Sequence, residues 1–246
     1  MKLFVGLGNP GDKFAGNRHN VGFMAVEHNA SANGFGPWRK KFSSLISEGS
    51  LGQTRVMLLK PETFMNDSGR AVSDALRFLK IEPDAVVVFH DELDLMPGKI
   101  KVKVGGGNAG HNGLRSISAH LGNDYVRVRI GIGHPGSKDA VSPYVLNDFA
   151  KPERAWVREL LDAIADASPY LSKGDEARFL NDIALKTKAD KVEPSLPATK
   201  KAAHEPPLPE KKPLARHPAG ERAHKRQSAL AVNLKKWLSS RKSGDE

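Results

Sequence analysis

The chain has 246 residues, with 38 Lys/Arg against 28 Asp/Glu, a formal net charge of +10 and no cysteine. The missing thiols exclude disulfides, cysteine nucleophiles, thiolate zinc sites and iron–sulfur clusters. No apolar run approaches the ~20 residues of a bilayer span, and the Met-Lys start enters a strand-like segment with no signal-type apolar region, so a cytoplasmic protein is expected.

Lys2–Leu7 reads as a short strand stopped by Gly8-Asn9-Pro10-Gly11. Asn20–Ala32 has helical spacing, with Val21, Met24, Ala25 and His28 on one face. Leu45–Ser47 and Thr54–Leu59 flank a glycine turn and predict a hairpin. Ala71, Val72, Ala75, Leu76 and Leu79 mark a helix, and Ala85–Phe89 is the continuous apolar run of a strand covered on both faces. Ile100, Val102 and Val104 alternate with Lys99, Lys101 and Lys103, the period of a half-exposed strand. Ser116–Leu121 predicts a short helix and Val126–Ile132 a further strand. Trp156, Leu160, Leu161 and Ile164 predict a late helix, and Glu176–Leu185 one more. Strands interleaved with helices predict an α/β body of three layers. The hairpin makes its central sheet mixed.

From residue 187 the composition changes. Residues 187–246 hold 14 Lys/Arg, 7 Asp/Glu and 7 of the 16 prolines, so most of the net charge is there. Residues 188–225 have too few large apolar side chains to offset ordering entropy and are expected to be disordered. Leu230, Leu234, Trp237 and Leu238 have helical spacing among basic residues, so 227–242 reads either as a basic amphipathic helix or as incidental spacing. The basic charge favours a polyanionic partner, RNA first, although a merely soluble basic protein has the same composition.

Gly6-Leu7-Gly8-Asn9-Pro10-Gly11 matches the G-x-G-x-x-G of a dinucleotide-binding turn. In that motif a helix opens at the loop and turns its free N–H groups to the pyrophosphate. Here Pro10 removes a donor, and no acidic residue ends a second strand at the right distance. The competing reading is a tight loop that presents Asn9.

Polar residues collect in four loops: Asn9 with Asn17-Arg18-His19-Asn20, the segment 60–69, His90-Asp91-Glu92-Leu93-Asp94, and the glycine-rich 105–113. Loops at the carboxyl ends of strands in an α/β body tend to share one face and hold the site. A neutral His19 can take a proton from water, while Asp91 at the end of the buried strand fixes its tautomer. Without a cysteine or a serine elbow, direct attack of water on an ester or amide is favoured over a covalent intermediate. Asn9, Asn66 and Asn112 each offer amide donors and an acceptor, suited to peptide backbone or an oxyanion; as turn formers they would have a purely local role. A metal site at His90, Asp91, Glu92 and Asp94 is disfavoured, because adjacent residues of an extended segment point to opposite sides. Lys99, Lys101 and Lys103 lie on one strand face at intervals of about 6–7 Å. They read as a phosphate track or as the solvated face of an edge strand.

Six segments in order, VGLGNPG at 5–11, NRHNVG at 17–22, KPETFMNDSG at 60–69, HDELDLMPG at 90–98, GGGNAGHNGLRSI at 105–117 and RIGIGHPG at 129–136, resemble bacterial-type peptidyl-tRNA hydrolase. The resemblance covers residues 2 to about 186. It implies a single α/β domain, residues 1–186, and hydrolysis of the ester between a peptide and the 3′-terminal ribose of tRNA, so that the tRNA returns to translation. It implies no metal or organic cofactor, a monomer, and peptidyl-tRNA as partner. By position it makes His19 the catalytic base, Asp91 its support and Asn9 the discriminator of blocked from free amino groups. Asn66, Asn112, Phe64 and Phe14 become substrate-binding residues, as does His111 in an assisting role. Lys103 and Arg129 become a phosphate clamp assisted by Lys101. Phe14 stands where the family usually has Tyr, and Ala109 where Gly is common. For the tail, residues 187–246, the resemblance gives no role; its charge suggests RNA or the ribosome, and no membrane is expected. The rival readings are an RNA-binding module of the same fold without turnover and, from the glycine loop alone, a nucleotide-dependent oxidoreductase.

Overall fold

The computed structural model describes residues 1–187; the expectations for 188–246, disorder and a helix at 227–242, lie outside the described residues. Seven strands form one sheet: β1 (Lys2–Gly6), β2 (Arg39–Lys41), β3 (Ser44–Leu51), β4 (Thr54–Pro61), β5 (Val86–Glu92), β6 (Ile100–Val104) and β7 (Val126–Gly131). Their order is β2-β3-β4-β1-β5-β7-β6. β1 is parallel to β4 and β5, and β5 to β7, while β2, β3 and β6 are antiparallel to their neighbours. The expected mixed sheet is therefore a parallel centre with antiparallel strands at both edges.

Alternation along the central strands divides the apolar residues into two cores. Phe4, Val87, Phe89 and Val128 pack under α1 (Val21–Ala32), α5 (Arg154–Ser172) and α6 (Glu176–Thr187). Leu3, Val5, Val86 and Val88 pack under α2 (Ser68–Leu79) and α3 (Asn112–Leu121). α1 lies very close to the sheet, because a Cβ on Gly22 would meet the Phe89 carbonyl oxygen at 2.3 Å and one on Gly6 would meet the Gly22 oxygen at 2.3 Å. Gly6 therefore serves helix–sheet packing. No α-helix opens at its loop: a single turn, Asp12–Phe14, follows it, and α1 begins only at Val21.

Several boundaries differ from expectation. The strand predicted over Ala85–Phe89 continues through His90, Asp91 and Glu92, all buried, so these three are strand rather than loop. Burial through a strand's polar end is invisible to hydropathy. α3 begins at Asn112, before the predicted Ser116, because His111 caps it. β2 is all cationic and exposed, and α4 (Val141–Val145) is one short turn; neither leaves a periodic signal.

Candidate active site

The carboxyl ends of β1, β4 and β5 lie at one end of the sheet, but the fourth polar loop reaches it differently. β6 runs antiparallel to β7, with Val104 opposite Val126, so its carboxyl end is at the far end of the sheet. The glycine-rich loop must run back along the sheet before α3 can start beside Asp91. Positive φ at Gly105, Gly106, Ala109 and Gly110 bends it along this path. Ala109 at φ 45 is strained, since only glycine takes that conformation freely.

At the converged end lies a cleft of about 940 Å³. Asn9, His19, Phe64, Asn66, Asp91, His111 and Asn112 all line it. Its opposite wall, Val141, Val145 and Leu146, comes from α4 and the residue after it. Phe64 is 68% exposed, an aromatic ring held out into the opening. Phe14 is not in the lining; its ring carries the Lys13 ammonium at 4.7 Å.

Asp91 is the centre of the site. Both carboxylate oxygens lie 2.9 Å from His19 Nδ1, and Oδ1 also lies 3.0 Å from His111 Nε2. Burial alone would raise its pKa, but His19 and His111 outweigh that and hold it well below the usual carboxylate range. Asp91 is therefore an acceptor only. His111 Nδ1 accepts from the N–H groups of Gly113 and Leu114 at 3.1 and 3.3 Å, so its proton is on Nε2 and is donated to Asp91. His19 likewise donates Nδ1–H, which leaves the lone pair of Nε2 as its basic position. Burial lowers the His19 pKa, but the charge and hydrogen bonds of Asp91 overcome this and raise it above 6.5. His90, fully buried, donates Nδ1–H to the Asp91 carbonyl at 2.8 Å and is pushed down to about 3 by burial and by the neighbouring His111.

Two of the asparagines, Asn9 and Asn112, are oriented as firmly. Asn20 clasps the Asn9 backbone, accepting from its N–H and donating to its carbonyl, both at 2.9 Å. The Asn9 side-chain oxygen accepts from Met65 N–H at 3.0 Å. The Asn112 oxygen accepts from Arg115 Nη2 at 2.8 Å. Both partners can only donate, so each amide is fixed with its oxygen engaged and its NH₂ left for a ligand. Asn66 is exposed at the rim. Asn20, Arg115 and the α4 wall were missed from sequence. Asn20 was visible in the Asn17–Asn20 run, but its role requires the fold.

His19, Asp91 and His111 place three ligating atoms within 4.8 Å, close enough for one cation. The tautomer of His111 opposes this use, since the nitrogen that would ligate carries the proton. His90, Asp91, Glu92 and Asp94 do not converge: Glu92 turns to Arg129, accepting from Nε at 2.9 Å. That ion pair holds Arg129 beside the cleft. Lys101 and Lys103 are exposed on β6, opposite Arg129 and Arg127 in register.

The profile of the family described as peptidyl-tRNA hydrolase matches residues 3–191. A protein of that name from Dinoroseobacter shibae is 59% identical over 218 residues, which are 87% of this chain and 92% of its own. One from Cereibacter sphaeroides is 62% identical over 193 residues, 78% and 86% of the two chains. The solved structure of peptidyl-tRNA hydrolase from Acinetobacter baumannii is similar at a TM-score of 0.71 and 41% identity, over 74% of this chain and 94% of that one.

Proposed function

The chain belongs to the peptidyl-tRNA hydrolase family, and from that premise we propose how its cleft hydrolyses the ester between a peptide and the 3′-terminal ribose of tRNA. His19 Nε2 takes a proton from a water molecule as the water oxygen attacks the ester carbonyl. Asp91 keeps the His19 proton on Nδ1 and stabilises the imidazolium. The tetrahedral intermediate collapses by breaking the bond to the ribose oxygen, which leaves with the proton returned by His19. The fixed NH₂ groups of Asn9 and Asn112 donate to the oxyanion and to peptide carbonyls. Phe64 and the α4 wall flank the peptide and exclude water from it. Lys101 and Lys103 receive tRNA phosphates, and Arg129 joins them from its seat on Glu92. His111 acts through Asp91 rather than by touching the substrate.

The observation that carries this reading is the Asp91 carboxylate shared between His19 and His111 at the floor of the cleft. The test is hydrolysis of N-acetyl-aminoacyl-tRNA beside free-amine aminoacyl-tRNA, for the wild type and His19→Ala, with EDTA present. Cleavage of the blocked substrate alone, unaffected by EDTA and reduced on the order of 10²–10⁴-fold in the variant, is expected. Tight tRNA binding without cleavage by the folded wild type would instead establish the RNA-binding module. The basic residues 187–246 add non-specific attraction to RNA, by their excess of cations. Deleting 188–246 is then expected to weaken tRNA binding and flatten its salt dependence; an unchanged slope sinks that role.

A further inference from the structure

Among the described residues, buried charges have partners of opposite sign, with one exception. Arg18 meets Glu153, Arg129 meets Glu92 and His19 meets Asp91. Arg127 is only 2% exposed, yet no carboxylate among the described residues pairs with it. Its guanidinium donates to the Gly107 carbonyl at 2.8 Å, to Asn123 Oδ1 at 3.1 Å and to Ser118 Oγ at 3.5 Å, and lies 4.7 Å from the centre of the Tyr125 ring. Its Nε–H is buried without an acceptor among the described residues. A buried cation surrounded by neutral groups is costly, and a fold does not keep one without a use.

The partners show the use. Gly107 belongs to the glycine-rich loop, Ser118 to α3 and Asn123 to the turn that follows it. One side chain of β7 thus holds the loop where it runs back along the sheet. That loop ends in His111 and Asn112, so its seat sets the position of the second donor to Asp91 and of one substrate amide. The loop also packs on the phosphate track: a Cβ on Gly106 would meet Lys103 Nζ at 2.7 Å, and Lys103 is the register partner of Arg127.

We propose that Arg127 is a positioning residue that seats the glycine-rich loop for catalysis, its counter-charge being supplied by the tRNA phosphate that docks on Lys101 and Lys103. This rests on the phosphate-track reading of those lysines. Two separable consequences follow. The fork of the guanidinium sets the loop and hence kcat, while its charge adds to phosphate attraction and hence to KM and the salt slope.

The experiment measures kcat and KM on N-acetyl-aminoacyl-tRNA at several salt concentrations for the wild type, Arg127→Lys, Arg127→Met, Asn123→Ala and Lys103→Ala. Arg127→Met is expected to lower kcat about 10-fold, raise KM severalfold and flatten the salt slope by about one ion. Arg127→Lys keeps the charge and loses the fork, so its salt slope stays near wild type while kcat stays low. Asn123→Ala, a milder release of the same guanidinium, should lower kcat without changing the slope. Wild-type kcat in folded Arg127→Lys and Asn123→Ala would overturn the proposal, and these two decide it even if Arg127→Met does not fold. An unchanged slope in Lys103→Ala would overturn the phosphate track separately, leaving the effect of Arg127 on kcat to be judged alone.

Discussion

Arg18 and His19 are adjacent, both buried, and both joined to a carboxylate far along the chain, yet the two pairs do different work. Arg18 bonds Glu153 at 2.5 Å, donates to the carbonyls of Tyr144, Asn147 and Asp148, and lies over the rings of Tyr144 and Phe149. It fastens the α4 wall of the cleft to the segment that presents His19. A guanidinium keeps its proton throughout the working range, so the cation of this pair cannot act as an acid or a base. His19 has the same kind of partner in Asp91 but can give up its charge, so in the proposed mechanism the same contact becomes reactive. A buried cation–carboxylate pair is thus structural or chemical according to whether its cation titrates.

Replacing the reactive pair should have the largest effect. Asp91→Asn removes the influence that raises His19, leaving burial to lower its pKa. The acid limb of the kcat/KM profile is expected to move to lower pH, with kcat/KM on the plateau reduced on the order of 10²-fold or more as the tautomer is released. An acid limb that stays in place would show that another group titrates. Arg18→Met takes the cation from Glu153, which keeps only the Ala150 N–H, and removes one donor from each of three carbonyls. With Glu153 partly open to water, about 2 kcal/mol of stability should be lost, with little movement of that limb; denaturant unfolding and the pH profile read the two. His111→Ala removes the α3 cap as well as a donor to Asp91, at about 1 kcal/mol for the cap. His111→Asn is expected to recover the cap and the stability but not the activity. The smallest change is Ala109→Gly, which relieves the positive φ and should raise stability by about 0.5–1 kcal/mol, since the steric gain exceeds the entropy added to the unfolded chain. A lowered melting temperature would contradict this.

Stability has its own pH signature. The unfolded chain protonates His90 near 6.5, whereas the folded protein resists until about 3. Folding stability should therefore fall as pH drops through that window. Melts of the wild type and a His90→Asn variant across it would test the assignment, a flatter dependence being expected in the variant.

Much of this site was legible because its chemistry is local. Asp91 ends an apolar run, His19 precedes a helix, and the order of the six segments matched a family. The rest depends on what crosses the sheet. His111 read as an assisting substrate contact; it does line the cleft, but the engagement of its two nitrogens by α3 and Asp91 shows only in the fold. Arg129 was singled out by the resemblance, whereas Arg127 drew no reading, because its burial without a carboxylate shows only in the fold. Arg39–Lys41 is a strand by virtue of pairing with β3, and no periodicity announces it.

The imidazole of His111 joins the first turn of α3 to the carboxylate at the centre of the site. Peptide dipoles accumulate along a helix and leave its amino end partly positive. Here the N–H groups of Gly113 and Leu114 polarise the ring from one side, and the ring's own N–H meets Asp91 on the other. Hydrogen bonds in series strengthen one another. The imidazole therefore links the first turn of a ten-residue helix to Asp91 through an unbroken series of hydrogen bonds. The carboxylate stays ionised in a buried place, and the helix end that steadies it also fixes where it meets His19.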